Sequence, residues 1–186
     1  MPGTERPMRA DARRNYERIV ATAKDLFTAH GADVPLDDIA KKAGVGAGTL
    51  YRHFPTREKL FEAVYREEIT VLADRAFELH DELPPWEALE AWLRAQVTWV
   101  VERHKLATIL KESIDAGSET FQYCQKRLRE ATGVLVEAAQ EAGLVRSDVV
   151  GADVLRLGHG AGMAVRNCSP EDGRRVLNVI LDGLRA

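Results

Sequence analysis

The sequence predicts an all-α chain of about nine helices, and three observations predict it. Apolar residues recur at i, i+3, i+4 and i+7 through most of the chain, the period of a helix face, and no segment alternates as a strand would. Start and stop signals punctuate that pattern: Gly31, Gly143 and Gly183 follow apolar stripes, and Ser169-Pro170-Glu171-Asp172 precedes one. Between Leu36 and Phe54, two short helical segments flank Gly44, the arrangement of a helix-turn-helix. The expected organisation is an N-terminal three-helix unit over residues 1–55 and a C-terminal helical domain over residues 56–186.

Residues 1–9 contain Pro2, Gly3 and Pro7 without periodicity and read as disordered. The first helix is expected from about Ala10 to His30, where Ile19, Ala23, Leu26 and Phe27 form one apolar stripe that Gly31 ends. Arg6, Arg9, Arg13 and Arg14 stand before or inside its first turns and read either as an arm along phosphates or as a solvated tail.

After the loop Ala32-Asp33-Val34-Pro35, the second helix carries Ile39, Ala40 and Ala43 on one side. Gly44 follows at the position where a helix end needs positive φ. The third helix runs from about Gly48 to His53. Ala40 is small enough for a close crossing, Val45 and Leu50 fill it, and Phe54 lies four residues after Leu50 on the same face. Thr49, Tyr51, Arg52 and His53 are then left mainly on faces the core does not need, where they can reach a groove edge or a phosphate. On spacing alone the pair reads as either a DNA reader or an αα-hairpin of another all-helical protein.

Pro55-Thr56 breaks the chain and restarts it, with Thr56 as N-cap and Glu58 near the positive helix end. The fourth helix is expected from about Arg57 to Glu82, roughly 39 Å at 1.5 Å per residue. Leu60, Val64 and Val71 form one stripe on it, with Phe61, Tyr65 and Leu72 beside them. A rigid helix shared by two domains can transmit a rotation. Leu83-Pro84-Pro85 stops it. A fifth helix is expected from Trp86 to about Arg103 and a sixth from Lys105 to Asp115, with no strong breaker between them. The seventh runs from Gly117-Ser118 to about Ala142, the eighth from Ser147-Asp148 to about Asn167, and the ninth from Ser169 to Gly183.

Composition narrows the function classes. The 186 residues can bury a sizeable core, and no apolar run approaches the ~18–20 residues of a membrane span. The N-terminus is basic but has no apolar stretch behind it, unlike a secretory signal. Cys124 and Cys168 form no CxxC pair, which fits an intracellular chain with reduced thiols. The formal charge is −3, yet residues 1–66 hold 12 Lys/Arg against 9 Asp/Glu and the remainder 14 against 20. A basic head on an acidic body suits a DNA-binding head joined to a domain with another task.

Nothing in the sequence assembles an enzyme, a metal site or a cofactor site. His30, His53, His80, His104 and His159 are dispersed, without HExxH or zinc spacing. Gly158-His159-Gly160-Ala161-Gly162 lies inside a helical pattern, so it reads as close helix–helix approach rather than a phosphate cradle, with His159 packed or at an interface. Trp92 and Trp99 are seven apart on the fifth helix, with Trp86 near its start, and Phe121, Cys124 and Leu128 form a stripe on the seventh. Such stripes build core; the functional alternative is an apolar ligand cavity between these helices. Cys124 as a redox sensor is disfavoured, since only Lys126 and Arg127 nearby would lower its pKa.

The run Asp38-Ile39-Ala40, then Ala43-Gly44-Val45-Gly46-Ala47-Gly48-Thr49-Leu50-Tyr51-Arg52-His53-Phe54, then Pro55-Thr56-Arg57-Glu58-Lys59-Leu60, strongly resembles the TetR family of bacterial transcriptional regulators. With Ile19, Ala23, Leu26-Phe27 and Gly31, the resemblance covers about residues 14–66. It implies a homodimer on a palindromic operator, mostly as a repressor, with a C-terminal domain that binds a small-molecule effector and dimerises through its last two helices, here near 149–167 and 170–183. By position it makes Gly48, Thr49, Tyr51, Arg52 and His53 the DNA-facing residues, and puts Arg57 where the family usually has a phosphate-binding lysine. Gly46, Ala47 and Leu36 depart from the commoner serine, polar or basic, and Ser/Thr residues, each removing a side-chain phosphate contact. The Gly143-Leu144-Val145-Arg146-Ser147-Asp148 turn and the Leu181-Asp182-Gly183-Leu184-Arg185 ending look like one TetR subgroup without naming a ligand.

The expected function is therefore a cytoplasmic, ligand-responsive repressor whose partners are duplex DNA, a small effector held near Trp92, Trp99, Phe121 and Cys124, and a second copy of the chain. An activator of the same family is the alternative. A helical enzyme or non-DNA ligand carrier would need a convergent polar constellation that the C-terminal sequence does not offer.

Overall fold

The computed structural model of the chain describes residues 5–113, 115 and 117–186, which form eight helices. These are α1 (Glu5–His30), α2 (Leu36–Lys42), α3 (Ala47–His53), α4 (Arg57–Glu82), α5 (Pro85–Ser113), α6 (Glu119–Glu141), α7 (Gly151–Val165) and α8 (Pro170–Leu184). The all-α class matches the expectation; three boundaries do not. One is the start of the eighth expected helix, which lies at Gly151 (α7) rather than at Ser147-Asp148 because Val150 is the N-cap, with its N–H bonded to the Asp153 carboxylate. The break expected between Arg103 and Lys105 is absent, and α5 runs through it. No Gly or Pro interrupts that stretch, and Leu106 and Leu110, one turn apart, are both buried, so the apolar face simply continues. At the other end α1 starts at Glu5 rather than Ala10. Pro7 falls in its first turn, where the missing N–H has no intrahelical acceptor to lose. The first four residues lie outside the described residues, as do the side chains of Arg6 and Arg9.

The chain separates into two compact units. One takes the residues through Arg66 together with the segment that starts at Lys105; the other takes Glu67–His104 and Gly117–Ala186. In the first unit, α1 packs on α2 and α3. Ile19, Ala23, Leu26 and Phe27 meet Ile39, Ala40, Leu50, Phe54, Leu60 and Phe61 in its buried core, with the Phe27 and Phe61 rings 4.7 Å apart. Val45 is only half-buried, so Leu50 and Phe54 supply most of the apolar side of the recognition segment.

The second unit is closed by small residues. α7 approaches its neighbours so tightly that a Cβ on Gly151 would lie 2.7 Å from the backbone of Gly133 in α6, and one on Gly162 would lie 2.6 Å from the Val100 side chain of α5. A Cβ on Gly158 would collide with the Gln96 amide. The glycine-rich run thus serves close helix–helix approach. Ile69, Leu72, Ala73, Ala76 and Leu79 are the buried residues of α4 here, whereas Val71 is 58% exposed and leaves the stripe assigned to it. Val71 sits between Ile69 and Leu72 on the face that turns outward, because burial follows the i, i+3, i+4, i+7 set that starts at Ile69. Glu68 is a buried carboxylate on α4, 3.4 Å from the Arg103 guanidinium. The C-terminus is tied back: Arg146 N–H donates to Leu184 O (3.1 Å), Ala186 N–H donates to Leu144 O (3.3 Å), and the Arg185 guanidinium lies 4.0 Å from the Trp86 ring. Among the described residues, no helix is long and apolar enough to cross a membrane.

Candidate nucleic-acid interface

The helix-turn-helix is built from the end of α2 outward. Ala43 closes α2 in the right-handed region, and Gly44 follows at φ +65°, where an L side chain is strained. Gly44 N–H then donates to Lys41 O (3.1 Å) and Val45 N–H to Ala40 O (3.0 Å), the paired bonds of a Schellman motif. Two residues later α3 begins from Gly46, whose carbonyl accepts from Thr49 N–H (2.9 Å) and Leu50 N–H (3.2 Å). No side chain caps the start of α2 or of α3, consistent with Leu36, Gly46 and Ala47 standing where polar residues are commoner.

With Leu50 fully buried and Phe54 nearly so, the outer surface of α3 is fixed. Gly48 and Arg52 are exposed, and Tyr51 is 45% exposed. Thr49 and His53 are half-buried. His53 is held by α1: the Tyr16 ring meets it edge-on at 6.1 Å and lies 5.1 Å from Phe54. The structure therefore gathers Gly48, Thr49, Tyr51, Arg52 and His53 along one seven-residue helix, with Tyr51 and Arg52 projecting farthest into solvent.

Arg57 is placed differently from a free surface cation. Its Nη1 donates to Ala32 O (2.6 Å) and Val34 O (2.7 Å), closing the loop between α1 and α2. Thr56 Oγ1 accepts from Lys59 N–H at 3.4 Å at the start of α4. Hydrogen bonds from the Glu58 backbone N–H and from Thr56 hold the Glu58 carboxyl below the usual range, with Arg57 adding to the effect. On α1, Arg13 pairs with Glu17 at 3.2 Å and Arg14 with Asp11, so both cations already have acidic neighbours. Sequence reasoning missed Tyr16 and Arg18. Tyr16 lies three residues before Ile19 and seven before Ala23, so it opens the same apolar stripe and could have been found from it. Arg18 has no such signal: its partners, Ala43 O and Gly44 O, are backbone groups 25 and 26 residues away.

The residues considered for an effector site lie in the second unit. Trp92 is fully buried and its indole N–H donates to Leu72 O (3.3 Å); Cys124 is fully buried. Trp99 and Phe121 are half-buried, and Phe121 N–H donates to the Ser118 hydroxyl that caps α6 (3.2 Å). Glu68, Gln96 and Thr132 are buried polar residues that sequence reasoning did not single out. Gln96 Nε2 donates to Leu155 O at 2.9 Å, while its Oε1 has no hydrogen-bond partner. His159 is exposed and Cys168 is an exposed thiol. Among the described residues, no three His, Cys, Asp or Glu side chains are grouped to hold a metal ion.

Comparison with known proteins gives a consistent picture. Residues 19–64 match the family described as bacterial regulatory proteins, tetR family, and residues 84–186 match the family described as transcriptional regulator SbtR-like, C-terminal domain. A TetR transcriptional regulator from Streptomyces coelicolor is 37% identical, covering 91% of this chain and 98% of that one, with a TM-score of 0.72. The TetR transcription regulatory protein from Mycobacterium vanbaalenii is also 37% identical, covering 97% and 100%, with a TM-score of 0.75. An HTH-type transcriptional regulator of Staphylococcus aureus (strain MRSA252) is 30% identical over 73% of this chain. The chain spans 63% and 66% of the length of the two first curated relatives it matches.

Proposed function

The chain belongs to the TetR family of DNA-binding transcriptional regulators, not to an enzyme family, and from that premise we propose that it is a homodimeric, cytoplasmic repressor released from a palindromic operator by a small molecule. The observation that carries the reading is the outer face of α3. An apolar inner side anchored by Leu50 leaves Tyr51 and Arg52 projecting, on a helix-turn-helix braced by α1. In this reading Gly48, Thr49, Tyr51, Arg52 and His53 face the operator. Arg57 reaches a phosphate with the guanidinium edge that Ala32 and Val34 leave unoccupied. Residues 1–55 carry DNA binding, and residues 56–186 carry effector binding and dimerisation. Two recognition helices of a dimer sit about one DNA turn apart, roughly 34 Å.

Dimerisation through α7 and α8 is supported by Leu157, Met163 and Val179, apolar residues that are 43%, 37% and 68% exposed. The effector is proposed to bind among helices α4 to α6, near Trp92, Trp99, Phe121 and Cys124, aromatic and apolar side chains that are buried or half-buried. It releases DNA only by binding the non-operator state more tightly. The test is a gel shift of the purified chain on the DNA upstream of its own gene, at two salt concentrations. Salt-sensitive binding that outlasts competitor DNA supports the reading. Uniform binding to every duplex tested would overturn it.

A further inference from the structure

From the contacts of α1 we infer that Arg18, which lies outside the recognition helix, sets the pose of α3 on DNA by clamping the turn of the helix-turn-helix. Its Nη2 donates to Ala43 O and, at 3.1 Å, to Gly44 O. The Schellman bonds occupy the N–H groups of Gly44 and Val45, and the acceptors they use are Lys41 O and Ala40 O. They leave the carbonyls of the turn itself without a helical donor. Arg18 supplies that donor from another helix, as a cation at the negative end of α2. The fit is close: a Cβ on Gly44 would stand 2.6 Å from Arg18 Nη2, so the glycine, favoured there by its φ of +65°, also leaves room for the guanidinium over the turn.

The turn matters because α3 has little else to hold its first residues. Its N-cap is Gly46, which provides no side-chain bond, and Ala47 and Gly48 are exposed and small. At its far end α3 is braced by Tyr16 against His53 and Phe54, and Leu50 anchors its middle. Arg18 and Tyr16 lie two residues apart on α1 and grip opposite ends of the helix-turn-helix crossing. Loss of the Arg18 clamp frees the leading end of α3 to pivot about Leu50. A pivot of that kind spoils base-edge contacts, which need fixed geometry, far more than phosphate attraction, which does not.

This inference rests on the DNA-binding reading, and its test separates the two. A duplex enriched by the wild-type chain from a random library is titrated against a scrambled duplex at several KCl concentrations, for wild type, Arg18→Met and Arg18→Lys, with folding checked by circular dichroism. The expected result is a loss of at least roughly tenfold on the enriched duplex for Arg18→Met, unchanged affinity for the scrambled one, and an unchanged salt slope. Arg18→Lys, which keeps the charge but loses the reach, shows the same split and remains readable if the methionine variant fails to fold. Equal losses on both duplexes, with a slope smaller by about 0.9 per lost contact, would make Arg18 a phosphate ligand and overturn the clamp. Unchanged affinity throughout would do so too. A wild-type chain that enriches no duplex removes the DNA-binding reading and this role with it.

Discussion

At the scale of single residues, Tyr51 and Arg57 separate contact from support. Tyr51 is 45% exposed on the outer face of α3, so Tyr51→Ala should leave thermal stability within roughly 0.5 kcal/mol of wild type while weakening operator binding. Arg57→Ala removes two charge-assisted bonds to Ala32 O and Val34 O, so it should lower stability by about 1–3 kcal/mol in urea unfolding as well as weaken binding. Full stability in Arg57→Ala would show that the loop closes without it. The contrast was half legible beforehand. The burial of Leu50 and the exposure of Tyr51 follow from helical spacing alone, because Leu50 and Phe54, four residues apart, mark the inner face of the segment and Tyr51 falls off it. The bonds of Arg57 run 23 and 25 residues back to carbonyls, and no side-chain pattern marks a carbonyl.

At the scale of elements, α7 and α8 show two ways of fixing a helix. α7 is fixed by the absence of side chains. Gly162→Ala would gain about 1 kcal/mol of helix propensity but would press a methyl into Val100, which costs about 1–3 kcal/mol in a packed interior. The expected net effect is a lower urea midpoint, and a higher one would mean that α5 and α7 can separate freely. α8 is fixed by its cap: Ser169 Oγ accepts from Asp172 N–H (3.1 Å) and donates to Asp172 Oδ2 (2.8 Å). The Ser169 bond, with Arg175 in support, holds the Asp172 carboxyl below the ordinary aspartate range. A carboxyl lowered by folding stabilises the native state fully above its unfolded pKa of roughly 4, and that contribution fades as pH falls through the folded value. Asp172→Asn should therefore flatten the acid side of a plot of Tm against pH and leave the neutral side with only the loss of the charge. The α8 cap was readable from Ser169-Pro170-Glu171-Asp172, since capping is local. The glycine contacts were readable as close approach but not as to partner, because Val100 and Gly133 lie far away in sequence.

At the scale of the whole molecule, a second copy should cover the outer faces of α7 and α8. Val179→Glu, a charge placed at a 68% exposed apolar position, should shift sedimentation from dimer to monomer while circular dichroism stays helical. An unchanged dimer would move the interface elsewhere. The whole-molecule level was also where the sequence said least. Periodicity reports which face of a helix is buried, not which distant segment buries it, so nothing before the fold announced that Lys105 begins a return to the first unit. That return has a practical consequence for anyone who would exchange heads between regulators. The N-terminal residues are not a cassette that a single cut can lift out. A graft ending at Arg66 leaves behind a strip of α5 that carries the buried Leu106 and Leu110, so a working chimera has to import two stretches of gene, and the second lies inside the recipient's own C-terminal half.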